Sequence, residues 1–240
     1  MLKYEKDKEK AAFKQMTFKE KRQHIWEYYR LEIIWGVIGL FVVYWLLNHY
    51  VLNPPKDPSV NITINSLQID TRGVEEWKTQ LKEDFPQYYT DKTEIQVISN
   101  MSGLDDPEQE YASTMKMIAM MAANEVDIFV GDFTLMYTNA FNSYMMPLDD
   151  IFTEEELAQI EALAYVQEDA ESGIIRIQPG DLDTDGNTYL MEERPYMIDV
   201  SHNTTLRSLI AGEPTYIGIS SNTLHLEEAK ELLWYFLTGE

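Results

Sequence analysis

The sequence predicts an α/β fold: an N-terminal transmembrane helix followed by a single α/β domain. Three observations carry that expectation. Ile33 to Leu52 are twenty consecutive residues without a charged side chain, which as a helix span about 30 Å, close to the thickness of a bilayer's hydrocarbon core. The chain beyond them alternates period-two and period-3.6 apolar patterns, as strands interleaved with helices do. Its 240 residues, 45% hydrophobic and 25% charged, suffice for a sizeable core.

Charge divides at the same place. Residues 1–31 hold nine Lys and Arg against five Asp and Glu, whereas residues 53–240 hold ten against 35, and the whole chain stands at −22. Basic residues ahead of an apolar span hold that end in the cytoplasm. Trp26, Tyr28, Tyr29 and Trp35 near its start, and Tyr44, Trp45 and Tyr50 toward its end, suit the two membrane interfaces. Leu52, Asn53, Pro54 and Pro55 after Val51 offer no small-residue cleavage site for a signal peptidase. The expected organisation is a cytoplasmic basic tail and interfacial helix over 1–30, a transmembrane helix over 31–52, a linker over 53–59 and an extracellular domain over 60–240. Thr17 and Glu20 form a capping box at the start of the interfacial helix, which should follow the membrane surface before turning in. The acidic exterior argues against nucleic acid as a partner. The lipid bilayer is the expected partner, with a membrane protein and a small solute as further candidates.

Within the domain, Ile62 and Ile64, with Leu67 and Ile69 as candidates to extend it, mark a first strand; Val74, Trp77, Leu81 and Phe85 recur at helical spacing. Ile95, Val97 and Met101 bracket a second strand. Asp106-Pro107 starts a helix whose apolar face is expected to run Tyr111, Met115, Ile118 and Ala122. Val126, Ile128, Phe129 and Val130 read as a buried central strand ending at Gly131-Asp132. A helix through Tyr137 and Phe141 follows, and Thr153 and Glu156 offer a second capping box. Helices between successive strands imply a largely parallel sheet, whereas 173–201 has the look of antiparallel strands. Asn222-Thr223 opens a last helix with Leu226, Ala229, Leu233 and Phe236 inward.

Several phrases resemble the first lobe of bacterial extracellular solute-binding proteins, the ligand-capturing components of ABC importers. The stretch Ala123 to Phe129 resembles the family's helix end, aspartate and apolar strand. Tyr144 to Phe152 is similar to its next helix end with an acidic pair. Asp185 to Tyr189 with Pro195 to Val200 resembles its Asp-Gly hairpin and following strand, and Leu226 to Phe236 its late helix. The resemblance, over roughly residues 60–240, implies a periplasmic-binding-protein-like α/β lobe. Only 25 residues separate Val200 from Leu226, where the family carries a second lobe, so the resemblance is to a reduced form lacking most of it.

Candidate chemistry is sparse. Asp181, Asp183, Asp185 and Glu192 fall at positions 1, 3, 5 and 12 of a loop with Gly186 at position 6, the spacing by which an EF-hand holds calcium, with the carbonyl of Asn187 at position 7. Strand-like flanks make an Asp-Gly hairpin turn the competing reading. Asp132 ends a central strand, where open α/β sheets hold their ligands, and Tyr137 and Asn139 are candidates for the same end; Asp132 equally suits a helix N-cap. The Met-rich set Met115, Met117, Met120, Met121, Met145 and Met146 suits core packing or a partner contact. Without cysteine there is no disulfide, thiolate site or cysteine nucleophile. His202 and His225 have no metal-ligand spacing, Ser201 and Ser220 sit in no nucleophile elbow, and pairs such as Glu75/Glu76, Asp105/Asp106 and Asp149/Asp150 are unremarkable among 35 acids. The expectation is a membrane-anchored binding or interaction module, a ligand sensor or accessory subunit and not an enzyme; the alternative is an anchored hydrolase using Asp132 or a histidine.

Overall fold

A computed structural model describes residues 17–52, 56–102, 106–168, 170–182, 188–190, 192–211 and 213–238. The chain divides into two compact units between Pro55 and Lys56.

In the first unit, helix α1 runs over Phe18–Leu47 and passes into a π-helical turn, Asn48–Leu52. Its capping box is present in both directions: Thr17 N donates to Glu20 Oε2 at 2.8 Å, and Glu20 N donates to Thr17 Oγ1 at 3.4 Å. The 24 residues Tyr29–Leu52 are long and apolar enough to cross a membrane, and none is buried within the protein. The expected turn between an interfacial and a spanning helix is absent. No proline interrupts the amide ladder between Phe18 and Leu47, so the helix continues unbroken through the 30/31 boundary.

The second unit contains β1 (Asp57–Ser66), α2 (Thr71–Asp84), β2 (Thr93–Met101), α3 (Pro107–Ala122), β3 (Ile128–Gly131), α4 (Phe133–Phe141), α5 (Glu154–Leu163), β4 (Ile174–Ile177), β5 (Gly180–Leu182), β6 (Thr188–Leu190), β7 (Arg194–Asp199), α6 (Thr204–Leu209), β8 (Tyr216–Ile219) and α7 (Leu226–Thr238). Strand β1 begins at Asp57, inside the expected 53–59 linker. Pro58 is accommodated because the pairing with β2 is irregular between Pro58 and Val60, where a missing amide donor costs least.

Six strands form one sheet in the order β2-β1-β3-β8-β7-β4, and β5 and β6 form a separate ribbon. The first three strands are parallel, joined by α2 and α3; β8, β7 and β4 pair antiparallel with their neighbours. The expectation of a largely parallel sheet therefore holds for one half. Apolar periodicity reports an element's type but not its direction, and only the earlier connections contain a long crossover helix.

One face of the sheet packs on α2, α5, α6 and α7 through residues such as Ile62, Ile64, Trp77, Ile160, Leu206, Leu233 and Phe236. The other packs on α3 and α4 through Phe129, Met117, Met120, Met121, Met136, Met145 and Met197. Methionine here fills the core, its unbranched thioether adapting to irregular gaps. The expected apolar face of α3 is a correction. Tyr111, Met115, Ile118 and Ala122 point outward, and Ser113, Met117, Met120 and Met121 are buried, a rotation of about 200° at 3.6 residues per turn. Methionines on several sides leave the stripe undirected; Ser113 selects the face, its hydroxyl donating to Met101 O at 2.7 Å.

Strand β1 is divided between two chemistries. Val60, Ile62 and Ile64 enter the first core, while Asn61, Thr63 and Asn65 alternate onto the other side, and all six are buried.

Candidate functional site

The parallel strands β1, β2 and β3 end on one edge of the sheet, and β8 begins there, Tyr216 pairing with Gly131. The segments leaving Ser66, Met101 and Gly131 and the one arriving at Tyr216 therefore converge. They enclose a cleft of about 720 Å³ walled by Gln68, Ser102, Asp132, Phe133, Gln167, Pro214 and Tyr216, among others. The close approach of β1 and β3 below it requires Gly131: a Cβ there would lie 2.2 Å from the carbonyl oxygen of Asn65.

Asp132 is at once a wall of the cleft and the N-cap of α4, its Oδ1 accepting from Leu135 N at 3.1 Å. Gln167 Nε2 donates to Asp199 Oδ2 at 2.8 Å and to the Tyr216 hydroxyl oxygen at 2.5 Å. The buried Asp199 carboxylate also accepts from Ser201 N at 2.8 Å. Burial, then the charge of Asp199, pushes the Tyr216 phenol up to about 12, so it stays protonated and neutral at physiological pH. The ring of Phe133, itself half-exposed, meets that of Tyr216 edge-on at 5.6 Å in the cleft's wall. Among the described residues the cleft's lining contains Asp132 and Glu213 but no Lys, Arg or His. Its chemistry is that of neutral hydrogen-bonding groups and acids against apolar surface, suited to uncharged or cationic groups and poorly suited to anions.

The three expected ligand residues do not share one site. Asp132 lines the cleft. Asn139 lines a smaller chamber between α3 and α4, and Tyr137, 40% exposed, stands on α4 between the rings of Phe133 and Phe141. Gln167 and Tyr216 escaped the sequence reading. Gln167 lies in a segment without periodicity, and Tyr216 opens a four-residue strand too short to show one.

No family model and no curated protein matches the chain. What the site can do rests on its own chemistry.

Of the calcium-loop residues, Asp183, Asp185 and Asn187 lie outside the described residues. Asp181 belongs to β5, paired antiparallel with β6 through Tyr189, and Glu192 is exposed beyond β6. Strands, not helices, flank the loop. Among the described residues no group of three His, Asp or Glu side chains could hold a metal ion.

The groups weighed for catalysis are dispersed. His202 Nε2 lies 2.9 Å from Leu237 O, at the end of α7. His225 Nδ1 lies 3.0 Å from Asp127 Oδ2, on the sheet edge opposite the cleft, beside Ser220 at the far end of β8. Asp149 and Asp150 both bind the guanidinium of Arg194, Glu75 pairs with Lys78 and Glu76 with Arg72, and Asp106 caps α3; Asp105 lies outside the described residues.

Proposed function

We propose that the chain is a single-pass membrane protein, N-terminus cytoplasmic, whose acidic C-terminal unit lies outside the cell. There it works as a binding module, a ligand sensor or an accessory subunit of a membrane complex, and not as a catalyst. The observation that carries this reading is the cleft at the carboxyl edge of the parallel strands. Its hydrogen-bonding groups are held in place by one another, as Gln167 is by Asp199 and Tyr216. Preorganised polar groups on apolar walls are how a rigid fold captures a small solute. The charge step across Ile33–Leu52 supports the orientation, and the order of elements is consistent with the resemblance to a solute-binding lobe. A hydrolase using Asp132 or a histidine has less to draw on, since neither His202 nor His225 lines the cleft.

Thermal unfolding of the full-length protein in detergent tests this against sugars, amino acids, polyamines, peptides and Ca²⁺. A solute at 100 times its Kd stabilises the native state by about 2.7 kcal/mol, so at least one neutral or cationic class raises Tm. No response to any solute, or a response to anions alone, removes the ligand-sensor reading and favours an accessory subunit that meets a protein partner. A Ca²⁺ response would separately support the proposal that the Asp181 to Glu192 loop holds calcium.

A further inference from the structure

Strand β2 stands at one end of the six-stranded sheet, paired with β1 on one side and, among the described residues, with no strand on the other. Its backbone groups alternate between the two sides. Those of even-numbered residues point to β1, as the bonds from Asp57 N to Lys92 O at 2.8 Å and from Ser102 N to Ser66 O at 3.3 Å show at either end. Those of odd-numbered residues point outward, where three carbonyls are covered: Thr93 O accepts from Thr90 N at 3.0 Å, Ser99 O from Lys116 Nζ at 3.0 Å and Met101 O from Ser113 Oγ at 2.7 Å. Between them, Ile95 and Val97 present N–H and C=O groups with no partner among the described residues.

A groove of about 510 Å³ lies against this open stretch, walled by α2 residues including Lys78 and Lys82 and by Glu94, Ile95, Gln96, Val97 and Ile98. Five consecutive strand residues alternate between the faces of the sheet, so the wall they form together is the strand's edge. Charge singles out the same place. In a region, 53–240, with ten bases against 35 acids, Lys82 stands in the groove, Lys92 in the turn entering β2 and Lys116 over Ser99 O, all three exposed and in no ion pair among the described residues. The carboxylates of the lining are already engaged, Glu75 with Lys78 and Glu94 with Lys56. Lysines also guard a sheet edge against stray pairing; Lys116 does so at Ser99, whereas Ile95 and Val97 are left open.

We infer that β2 is a docking edge for an extended acidic segment of a partner protein, which joins the sheet as an added strand. Its backbone accepts from the N–H groups of Ile95 and Val97 and donates to their carbonyls, and acids at alternate positions, which share one face of a strand, meet Lys82 across the groove. A second copy pairing β2 with β2 would set the unpaired lysines against their own kind. The inference deepens the accessory-subunit reading and rests on it; the cleft takes no part.

The test titrates the full-length protein in detergent against a dye-labelled Thr-Glu-Val-Glu-Val-Glu-Thr amide, reading affinity by fluorescence anisotropy and place by hydrogen exchange at the Ile95 and Val97 amides. Binding is saturable, slows exchange at both amides at least about tenfold, and is at least about tenfold tighter than that of the same peptide with Lys for Glu. Methylating the amide nitrogens of either the Glu or the Val residues blocks one edge of the peptide at a time. One pattern weakens binding at least about tenfold and the other leaves it within about threefold. Lys82→Glu weakens it at least about threefold. No saturable binding, equal binding of the Lys peptide, indifference to both methylations or unchanged exchange at Ile95 and Val97 overturns the inference; adhesion of the acidic peptide to the basic N-terminal segment would show the last two. These readouts use the unaltered chain and hold even if Lys82→Glu fails to fold. Protection of the same amides that grows with protein concentration and needs no peptide assigns the edge to a second copy and overturns it as well. A solute that still raises Tm through the cleft in any of these cases leaves the ligand-sensor reading standing.

Discussion

Asp127 Oδ2 lies 3.0 Å from His225 Nδ1, and the carboxylate has no exposed surface. The same carboxylate accepts from Asn61 N at 2.7 Å and from Thr223 Oγ1 at 2.6 Å, tying β1 and the segment before α7 to the start of β3. One aspartate thus joins three segments distant in sequence.

Removing it strands the buried Asn61 amide and leaves the half-buried Thr223 hydroxyl and His225 ring without their carboxylate. Asp127→Ala should destabilise the protein by about 3–5 kcal/mol, since breaking a buried charged network costs more than the network contributes when whole. A urea titration followed by tryptophan fluorescence measures it. A loss below about 1 kcal/mol would mean that water already serves these donors.

Gly131→Ala forces a methyl group against the Asn65 carbonyl oxygen, 2.2 Å from where the Cβ must go. Backbone cannot swing aside as a side chain can, so the pair β1–β3 must separate, at a cost of about 2–3 kcal/mol. The midpoint of thermal unfolding reads the loss directly, and an unchanged midpoint would contradict the strand spacing described here.

Gln167→Ala leaves Asp199 its bonds to Ser201 and should cost only about 1–2 kcal/mol. Gln167→Glu should cost more, because it sets a second carboxylate against a buried one. Both variants should lower the response to any solute held in the cleft, and the comparison of their Tm values distinguishes a lost hydrogen bond from added repulsion.

Alkaline pH should unfold the protein. Burial, and after it a neighbouring carboxylate, pushes Tyr89, Tyr216 and Tyr235 up to about 12, against about 10 for an unperturbed phenol. The folded state thus holds these protons more tightly than the unfolded chain. Their stabilisation is complete below about pH 10 and is lost as pH climbs toward 12. Phenolate absorbance should rise in two stages, exposed tyrosines near pH 10 and these with unfolding above it; a single transition near pH 10 in a folded protein would contradict the burial.

Much of the fold was legible in the sequence where local physics dominates. The inner face of α2, both capping boxes and the Asp106-Pro107 helix start follow from side chains within a few residues of one another. Strand β8 was not legible: four residues interrupted by Gly218 carry no period, and their place beside β3 depends on contacts far along the chain. The site divides in the same way. Asp132 could be found because a strand end and a cap coincide there. Gln167 could not, because its role comes from Asp199 and Tyr216, 32 and 49 residues away. Nor did Asn61, Thr63 and Asn65 announce a buried polar stripe, since strand alternation of this kind ordinarily marks a solvated face.

The chain's lack of cysteine permits one direct measurement of the central claim, that an apolar helix holds an acidic binding unit outside the cell. Single cysteines are introduced at the exposed positions Lys19 and Glu155, and cells expressing each full-length variant are treated with a membrane-impermeant maleimide. Glu155→Cys should be labelled in intact cells and Lys19→Cys only after lysis. Labelling of Lys19→Cys in intact cells, or protection of Glu155→Cys until lysis, would contradict it.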